Sequence, residues 1–367
     1  MTLVVGVDIG GTKTAAGLVD PAGNLLAVRS RPTPATRGPD AVVGAAVELV
    51  RELDGGAGTV TAVGVGSAGV IDPRSGTVVS ATGAIPGWAG TDLRGELSRR
   101  LGLPVAVDND VHAHALGELW RGAAAGRDDV LLVAVGTGVG ASLVLGGRVR
   151  HGAHSVAGHA GHLPAPAAAG RPCPCGGRGH VEAVASGPAL LAEYRRRSGA
   201  EAGHLSEVVR LADAGDRVAA AVLAEGAGAL GAAIGGLVNV IDPELVLVGG
   251  GVAGCGESWW RTLREAVRAE ALPALRDVPI EPAALGGDAA LLGAARLALA
   301  TAAPTTTDST TAAPVPTAAP VPTAAPVPTA ASAPTAATSA PAALTAPAAS
   351  ANSAPAATAP ATTEEDV

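Results

Sequence analysis

The chain opens with the sequence LVVGVDIGGTKTAAGLV at residues 3–19. Its valine-rich residues 3–7 predict a buried strand, and the apolar residues 15–19 predict a second one. The paired glycines Gly10 and Gly11 lie between them. We therefore predict a β-hairpin closed by a glycine turn, which differs from the strand–loop–helix of a P-loop.

This first turn carries the groups that a phosphate needs. Gly10 and Gly11 let the backbone approach a ligand closely and offer N–H groups to an anion. Thr12 adds a hydroxyl and Lys13 a cation, while Asp8 at the strand end could hold a metal ion or its water molecules. The alternative is an ordinary hairpin with a surface lysine.

The same pattern returns further along the chain. Residues 130–135 and 141–145 predict two strands around a second glycine turn. That turn contains Gly136, Thr137, Gly138 and Gly140. Two such hairpins predict a duplicated architecture that holds phosphates from two sides.

A third glycine cluster consists of Gly249, Gly250 and Gly251. It follows residues 238–248, which we interpret as a strand broken by residues 242–244. Without side chains, these glycines could accept the flat face of a nucleotide or its ribose. A flexible turn is the alternative.

Helical spacing of apolar residues predicts the remaining framework. Helices are expected over residues 40–53, 92–101, 111–120, 188–197, 208–233, 259–271 and 288–300, and further strands over residues 60–65 and 105–107. Alternating strands and helices indicate an α/β fold, in which ligands bind at the carboxyl ends of strands. Asp110 follows such a strand and is placed to act as a base, although a helix N-cap by Asn109 or Asp110 is the alternative.

Residues 158–182 concentrate histidine and cysteine. Cys173 and Cys175 flank a single proline, where a disulfide would be strained. With His162 and His180 they supply two thiolates and two imidazoles, a complete tetrahedral shell for a structural Zn²⁺. The alternative is a surface loop with unrelated histidines.

The composition limits the partners. The chain has 33 Asp and Glu against 25 Lys and Arg, with no basic block, so we expect no nucleic acid. No uninterrupted apolar run predicts a membrane span, and the first residues do not predict a signal peptide. Three cysteines fit a reducing cytoplasm. Residues 301–367 are almost entirely Ala, Pro, Thr and Ser, and they predict a disordered tail.

Taken together, the three glycine turns, Asn109-Asp110 and the Cys/His cluster resemble the ROK family of sugar kinases. The resemblance implies a two-lobed actin-like ATPase (ribonuclease H-like) fold. The small lobe would take residues 1–118, with the last helix (residues 288–300) packing back on it. The large lobe would take residues 119–287.

The resemblance also implies a mechanism. The turns at residues 8–13 and 136–140 look like the family's two phosphate loops, and residues 249–251 like its adenosine motif. Residues 108–118 are similar to its catalytic segment, with Asp110 as the base. Asp110 would take a proton from the 6-hydroxyl of a sugar as that hydroxyl attacks the γ-phosphate of ATP, with Mg²⁺ near Asp8.

The implied sugar contacts are Gly69, Asn109, Asp110, His159, His162 and Glu182. Family members commonly carry Glu in place of His159, and a third cysteine in place of His180. A carboxylate accepts two hydrogen bonds, whereas a neutral imidazole accepts one and donates one. The pattern Gly-His-x-Gly-His resembles bacterial N-acetylmannosamine kinases, so we favour an N-acetylhexosamine over the alternative, a glucokinase.

The family also contains sugar-responsive repressors, which need a helix-turn-helix domain before the first glycine hairpin. Asp8 is the eighth residue of this sequence, so we expect an enzyme instead. Asp110 and the glycine motifs disfavour a silent sugar sensor. Family members are often dimeric or tetrameric, which leaves a homodimer or a homotetramer open.

Overall fold

A computed structural model describes residues 2–56 and 58–302 of the chain. The strands of this part are β1 (Leu3–Ile9), β2 (Lys13–Val19), β3 (Leu25–Pro32), β4 (Val60–Ser67), β5 (Val70–Asp72), β6 (Thr77–Ser80), β7 (Val105–Asn109), β8 (Val130–Val135), β9 (Val139–Leu145), β10 (Arg148–Val149), β11 (Leu245–Gly249) and β12 (Ile280–Pro282). The helices are α1 (Pro39–Asp54), α2 (Leu93–Leu101), α3 (Asp110–Arg121), α4 (Glu182–Ala185), α5 (Gly187–Ser198), α6 (Leu205–Asp213), α7 (Arg217–Ile241), α8 (Glu257–Glu270) and α9 (Ala289–Ala302).

The first sheet is built around the opening hairpin. Its strand order is β3-β2-β1-β4-β7, with β1 and β2 antiparallel and β1, β4 and β7 parallel. Val4, Val5 and Ile9 of β1 are fully buried, as the continuous apolar run of a central strand requires. The carboxyl ends of three parallel strands therefore meet at one edge of this sheet.

The second sheet repeats this arrangement. Its order is β10-β9-β8-β11-β12, with an antiparallel β8–β9 hairpin and with β8, β11 and β12 parallel. Each of these two five-stranded sheets thus begins with a glycine-turn hairpin and continues into parallel strands, whereas β5 and β6 form a separate antiparallel pair. The predicted duplication is present in the topology.

Helices α3 and α9 pack against each other, and α9 also lies on β1 and β4. The backbones approach closely at Gly293, where an added Cβ would lie 1.7 Å from the carbonyl oxygen of Ala113. Only glycine fits such a contact. The chain therefore returns after β12 to cover the sheet that its first residues form.

Two sequence predictions about helices are wrong. Residues 208–233 do not form one helix, because α6 ends at Asp213 and Asp216 caps a new helix, α7, through the N–H groups of Val218 and Ala219. Residues 238–241 are the last turn of α7 rather than strand. Their β-branched residues suit either structure, and packing in the core decides the outcome.

By length and composition alone, α7 is apolar enough to cross a membrane, and it is the one such helix within residues 2–56 and 58–302. Half of its most apolar window is buried. Val222, Leu230 and Ile234 of this helix are packed in the interior around the second sheet. We therefore assign α7 to the core.

The first two residues of the predicted tail are helical. Residues 301 and 302 still belong to α9, so that helix extends past the predicted end at residue 300. The rest of the tail, residues 303–367, lies outside the described residues. The predicted boundaries between lobes, after residues 118 and 287, stay a prediction.

We predict that Gly293→Ala destabilises the protein by about 1–3 kcal/mol, because the new methyl group overpacks the α3–α9 contact. The matched control is Gly236→Ala on α7, where a Cβ would meet no atom within 4 Å. The control should gain about 0.5–1 kcal/mol from helix propensity. Urea unfolding of both variants measures the difference, and equal effects would contradict the close contact.

Candidate functional site

The predicted catalytic residues lie at the shared edge of the first sheet. The register aligns Asp8 with Gly66 and Gly66 with Asp108 across three parallel strands. Asn109 ends β7 and Asp110 begins α3. The side chains of Asp8 and Asp110 therefore belong to the same edge, where ligands bind in α/β proteins.

Both carboxyl groups have raised pKa values. Burial and the charge of Asp110, opposed by Lys13, together raise the pKa of Asp8 to about 7. Burial also raises the pKa of Asp110, against a hydrogen bond from the Val111 N–H and the charge of His112. The edge thus holds two desolvated acids with one lysine nearby. Such a pair favours a proton or a cation.

Asn109 caps helix α3. Its Oδ1 accepts hydrogen bonds from the N–H groups of Val111 and His112, at 2.9 and 3.2 Å, and its Nδ2 donates to the Gly69 carbonyl at 2.9 Å. The N-cap and the base predicted for this segment are compatible, because the cap holds in place the first turn of α3, which bears Asp110. The predicted contact of Asn109 and Gly69 with sugar stays a prediction.

The first glycine turn is braced from inside the protein. The Gly10 N–H donates to the Lys13 carbonyl at 3.0 Å, which closes the turn. Thr33 donates its hydroxyl to the Gly10 carbonyl at 2.7 Å and its N–H to the Thr12 carbonyl at 2.9 Å. Thr33 was not predicted, because nothing in the sequence relates it to a turn twenty residues earlier.

The second and third glycine clusters lie side by side at the ends of neighbouring parallel strands, β8 and β11. Gly250 has a φ of +87°, and an added Cβ would lie 2.3 Å from the Val135 carbonyl oxygen. The Gly136 carbonyl accepts a hydrogen bond from the Gly187 N–H at 2.9 Å, at the start of α5. Both clusters therefore present backbone to one region.

The second turn also contacts helix α3. An added Cβ at Gly140 would lie 3.0 Å from Val111, the residue after Asp110. The turn predicted from Gly136, Thr137, Gly138 and Gly140 thus meets the first turn of α3.

The segment that carries His159 lies against β9. The Gly158 carbonyl accepts a hydrogen bond from the Ala141 N–H, and a Cβ at Gly158 (φ +91°) would lie 2.1 Å from the Ala141 oxygen. His159 donates from Nδ1 to the Val156 carbonyl at 3.0 Å. Its Nε2 is then the nitrogen left to accept a hydrogen bond when the ring is neutral.

The surroundings of His159 keep that ring neutral. Burial lowers the pKa of His159, and the charges of His162 and His112 act in the same direction. The Val156 carbonyl and, more weakly, Asp110 oppose them. His159 therefore stands within electrostatic reach of the predicted base.

The predicted zinc ligands come together. One ligand atom from each of His162, Cys173, Cys175 and His180 lies within 4.8 Å of all the others. The Cys173 Sγ to His162 Nδ1 distance is 3.7 Å, and the Cys175 Sγ to His180 Nδ1 distance is 3.3 Å. Tetrahedral zinc with ordinary bond lengths separates sulfur from nitrogen by about 3.5 Å. The arrangement fits that ion.

The buried thiol of this cluster needs a cation to ionise. Burial, Cys175 and the charge of Glu182 together raise the pKa of Cys173 to about 11. A zinc ligand is a thiolate, so a bound dication would reverse this shift. The four residues could therefore hold a metal ion, and Cys173 without one is a protonated thiol at neutral pH.

Glu182 joins the metal cluster to the second glycine turn. Its Oε2 accepts a hydrogen bond from the Val139 N–H at 2.9 Å, and its Oε1 lies 3.9 Å from Cys173 Sγ. The side chain is buried. The predicted sugar contact stays a prediction, while the contact with Val139 was not foreseen, because the two residues are far apart in the sequence.

Sequence reasoning also missed a second group of polar residues. Asp108, His112 and His151 bring one ligand atom each within 4.8 Å of one another. Nothing in the sequence relates these residues, because Asp108 is in strand β7, His112 is in helix α3 and His151 follows β10.

Comparison with known proteins gives the family. The model of the ROK family matches residues 4–301. The chain is 33% identical over 306 residues to a glucokinase of Halalkalibacterium halodurans, covering 78% of this chain and 92% of that one. It is 34% identical over 295 residues to an N-acetyl-D-glucosamine kinase of Escherichia coli, covering 77% and 95%.

A solved structure agrees with this match. The ROK family glucokinase of Streptomyces griseus, in complex with glucose and AMPPNP, superposes with a TM-score of 0.72 at 35% identity. The match covers 81% of this chain and 99% of that one.

The fold and site thus define an actin-like ATPase, and the fold prediction is confirmed. The chain belongs to the ROK family. It is a ROK sugar kinase, an ATP-dependent phosphotransferase, which confirms the predicted family and enzyme class.

Proposed function

We propose that this enzyme transfers the γ-phosphate of ATP to the 6-hydroxyl of a hexose or an N-acetylhexosamine. The observation that carries the proposal is the meeting of three features at the first turn of α3. Asp110 begins that turn, the charge of Asp110 acts on Asp8, and Gly140 of the second glycine turn contacts Val111. An acid thus adjoins two turns suited to phosphate.

Asp110 is proposed as the general base. Its Oδ1 accepts the hydrogen bond of the Val111 N–H at 2.9 Å, which leaves Oδ2 to accept the proton of a sugar hydroxyl. Burial raises the pKa of this carboxyl, and a carboxylate with a raised pKa is a stronger base. The hydroxyl oxygen then attacks the γ-phosphorus as its proton passes to Asp110, and the bond from that phosphorus to the β–γ bridging oxygen breaks, so that ADP leaves.

The glycine turns are proposed to hold ATP. The N–H groups of Gly10, Gly136 and Val139 already have partners within the protein. The backbone N–H groups of residues 11, 12, 137 and 138 would therefore contact the phosphates, with Lys13 and the Thr12 and Thr137 hydroxyls at their sides. Gly249, Gly250 and Gly251 would lie along the nucleoside. Phosphoryl transfer depends on positioning and on stabilising charge, so preorganised N–H groups are sufficient donors.

Asp8 is proposed to bind Mg²⁺, directly or through water. Its desolvated carboxyl with a pKa raised to about 7 is a site whose charged form a dication would stabilise. When bound, the ion neutralises phosphate charge. Asp8 itself would fix the position of that charge at the end of β1.

The four-ligand cluster of His162, Cys173, Cys175 and His180 is proposed to hold structural zinc. It has no open position for chemistry once four protein ligands bind. Its role would be to fix the segment that presents His159 and Glu182, since Glu182 lies beside Cys173. His162 would serve as ligand and border the sugar.

His159 is proposed to select the sugar. With Nδ1 donating to Val156, the neutral ring offers one acceptor where a glutamate would offer two. One fewer hydroxyl can then be bound in this direction. This supports an N-acetylhexosamine, and we slightly favour an N-acetylmannosamine kinase. The alternative, a glucokinase, is supported by the similarity to the H. halodurans glucokinase.

Location and assembly follow from the activity proposed. An ATP-dependent kinase requires a compartment that contains ATP, so we propose the cytoplasm. The free cysteines of the cluster also require reducing conditions. The expectation of a homodimer or homotetramer stays a prediction.

The substrate is tested by ATP consumption with glucose, mannose, N-acetylglucosamine and N-acetylmannosamine. We expect turnover with at least one of them, and His159→Glu should shift the kcat/KM ratio towards glucose by about tenfold, the effect of a hydrogen bond to a charged group. His154→Glu, on an exposed position of the same segment, is the control. No turnover with any hexose would overturn the proposal.

The role of Asp110 is tested by Asp110→Asn, which keeps the shape of the side chain and removes the base. We expect kcat to fall by about 10²–10⁴-fold, while sugar affinity measured by calorimetry changes little. Asp213→Asn, at an exposed carboxyl that ends α6, should leave kcat unchanged. Near-normal turnover by Asp110→Asn would exclude Asp110 as the base.

The metal is tested by elemental analysis of protein purified without chelators. We expect about one zinc per chain, lost in Cys175→Ser and kept in Cys255→Ala, a buried cysteine outside the cluster. Loss of zinc should also increase proteolysis within residues 158–182. Zinc-free wild-type protein would show that the ligand assignment is wrong.

A further inference from the structure

Asp108 is a buried carboxylate that accepts hydrogen bonds from three neighbouring residues. Its side chain is only 3% exposed. Oδ1 accepts hydrogen bonds from the Asn109 N–H at 2.7 Å and from His112 Nδ1 at 3.0 Å, and Oδ2 accepts from His151 Nε2 at 2.8 Å. A buried charge persists only when it is paired in this way.

The partners of Asp108 come from different parts of the chain. Asp108 lies at the end of β7 and His112 in the first turn of α3, whereas His151 follows β10. The other ring nitrogen of His112 lies 3.4 Å from the Ala157 carbonyl oxygen, and the rings of His112 and His151 meet edge to face at 4.9 Å. These contacts join α3 to residues 151–157.

Both ends of this connection lead directly to the proposed chemistry. Asp108 is two residues before Asp110, and Ala157 is two residues before His159. His112 acts electrostatically on both of those residues. Asp110 and His159 are therefore two ionisable groups close enough to His112 for its charge to affect their pKa values.

We propose that Asp108, His112 and His151, named here the histidine clasp, are positioning residues that set the distance between the base Asp110 and the sugar-selecting His159. The inference rests on the proposed function. Without the clasp, residues 151–159 would be held to β9 by the Gly158 contact but not to α3. The distance between Asp110 and His159, which are proposed to contact the sugar from two sides, would then vary.

The clasp has a defined pH range. The hydrogen bond to Asp108 raises the pKa of His151, against the effect of burial. Burial would raise the pKa of Asp108, but His112 and His151 outweigh it and lower that pKa to about 2. The clasp is therefore fully formed at pH values above the ordinary pKa of an aspartate. The ion pair between Asp108 and protonated His151 is lost as pH rises through the raised pKa of His151.

Steady-state kinetics over a pH series tests the clasp. We expect His151→Ala to raise the KM for sugar by about tenfold or more, the effect of losing a hydrogen bond to a buried charge, with little change in the KM for ATP. His151→Arg keeps a donor and a charge at every pH. In the wild-type enzyme the KM for sugar should rise at alkaline pH, as His151 loses its proton. His151→Arg should restore the KM for sugar and remove this rise.

Histidine NMR gives a readout that does not require activity. The His151 ring signal, assigned by its absence in His151→Ala, should titrate above 6.5, its usual pKa, and return towards that value in Asp108→Asn. A wild-type enzyme without sugar turnover would overturn the proposed function, while this titration still decides on the clasp. An ordinary titration of His151 would overturn the clasp alone.

Two further results would also contradict the clasp. Equal rises in the KM values for sugar and ATP, with a matching loss of thermal stability, would reduce it to a general structural role. A second zinc per chain that disappears in His151→Ala would make the cluster a metal site.

Discussion

The cap that Asn109 places on helix α3 is the interaction on which the rest of the site depends. It satisfies two N–H groups of the first turn and ties that turn to the Gly69 carbonyl. The same turn carries Asp110 to the edge where β1 also delivers Asp8. Because Oδ1 of Asn109 accepts both of these hydrogen bonds, the position of Asp110 is fixed before any ligand binds.

Three other segments of the site form hydrogen bonds to the second glycine turn and the start of β9. Gly187 of α5 hydrogen-bonds to Gly136, Glu182 hydrogen-bonds to Val139, and Gly158 to Ala141. The segment with the proposed zinc ligands and the segment with His159 are thus both attached to the turn proposed to hold phosphate.

Much of this arrangement was predictable from local pattern. Apolar runs ending in glycine predicted both hairpins, and the strand before Asn109 predicted Asp110 at a sheet edge, because parallel strands share one direction. The Cys173-Pro-Cys175 spacing predicted a ligand pair for the same local reason. The end of α7 was missed because Val238, Val240 and Ile241 are β-branched, and such residues are common in strands.

Contacts between distant segments could not be predicted. Asp108 with His151 and Glu182 with Val139 are each 43 positions apart, and nothing in the residue types selects these pairs over others. Thr33 is hidden for the same reason, since its bonds to Gly10 and Thr12 depend on the pairing of β2 with β3. The tertiary fold supplies these contacts, and they are what turn separate motifs into one site.

A crystal structure of the enzyme with a sugar and a non-hydrolysable ATP analogue would test the role of Asp110 directly. We expect the 6-hydroxyl oxygen about 2.6–3.2 Å from an Asp110 carboxylate oxygen, with the phosphates against the turns at residues 10–13 and 136–140. A sugar whose 6-hydroxyl lies out of reach of Asp110, or a nucleotide bound away from both turns, would contradict this expectation.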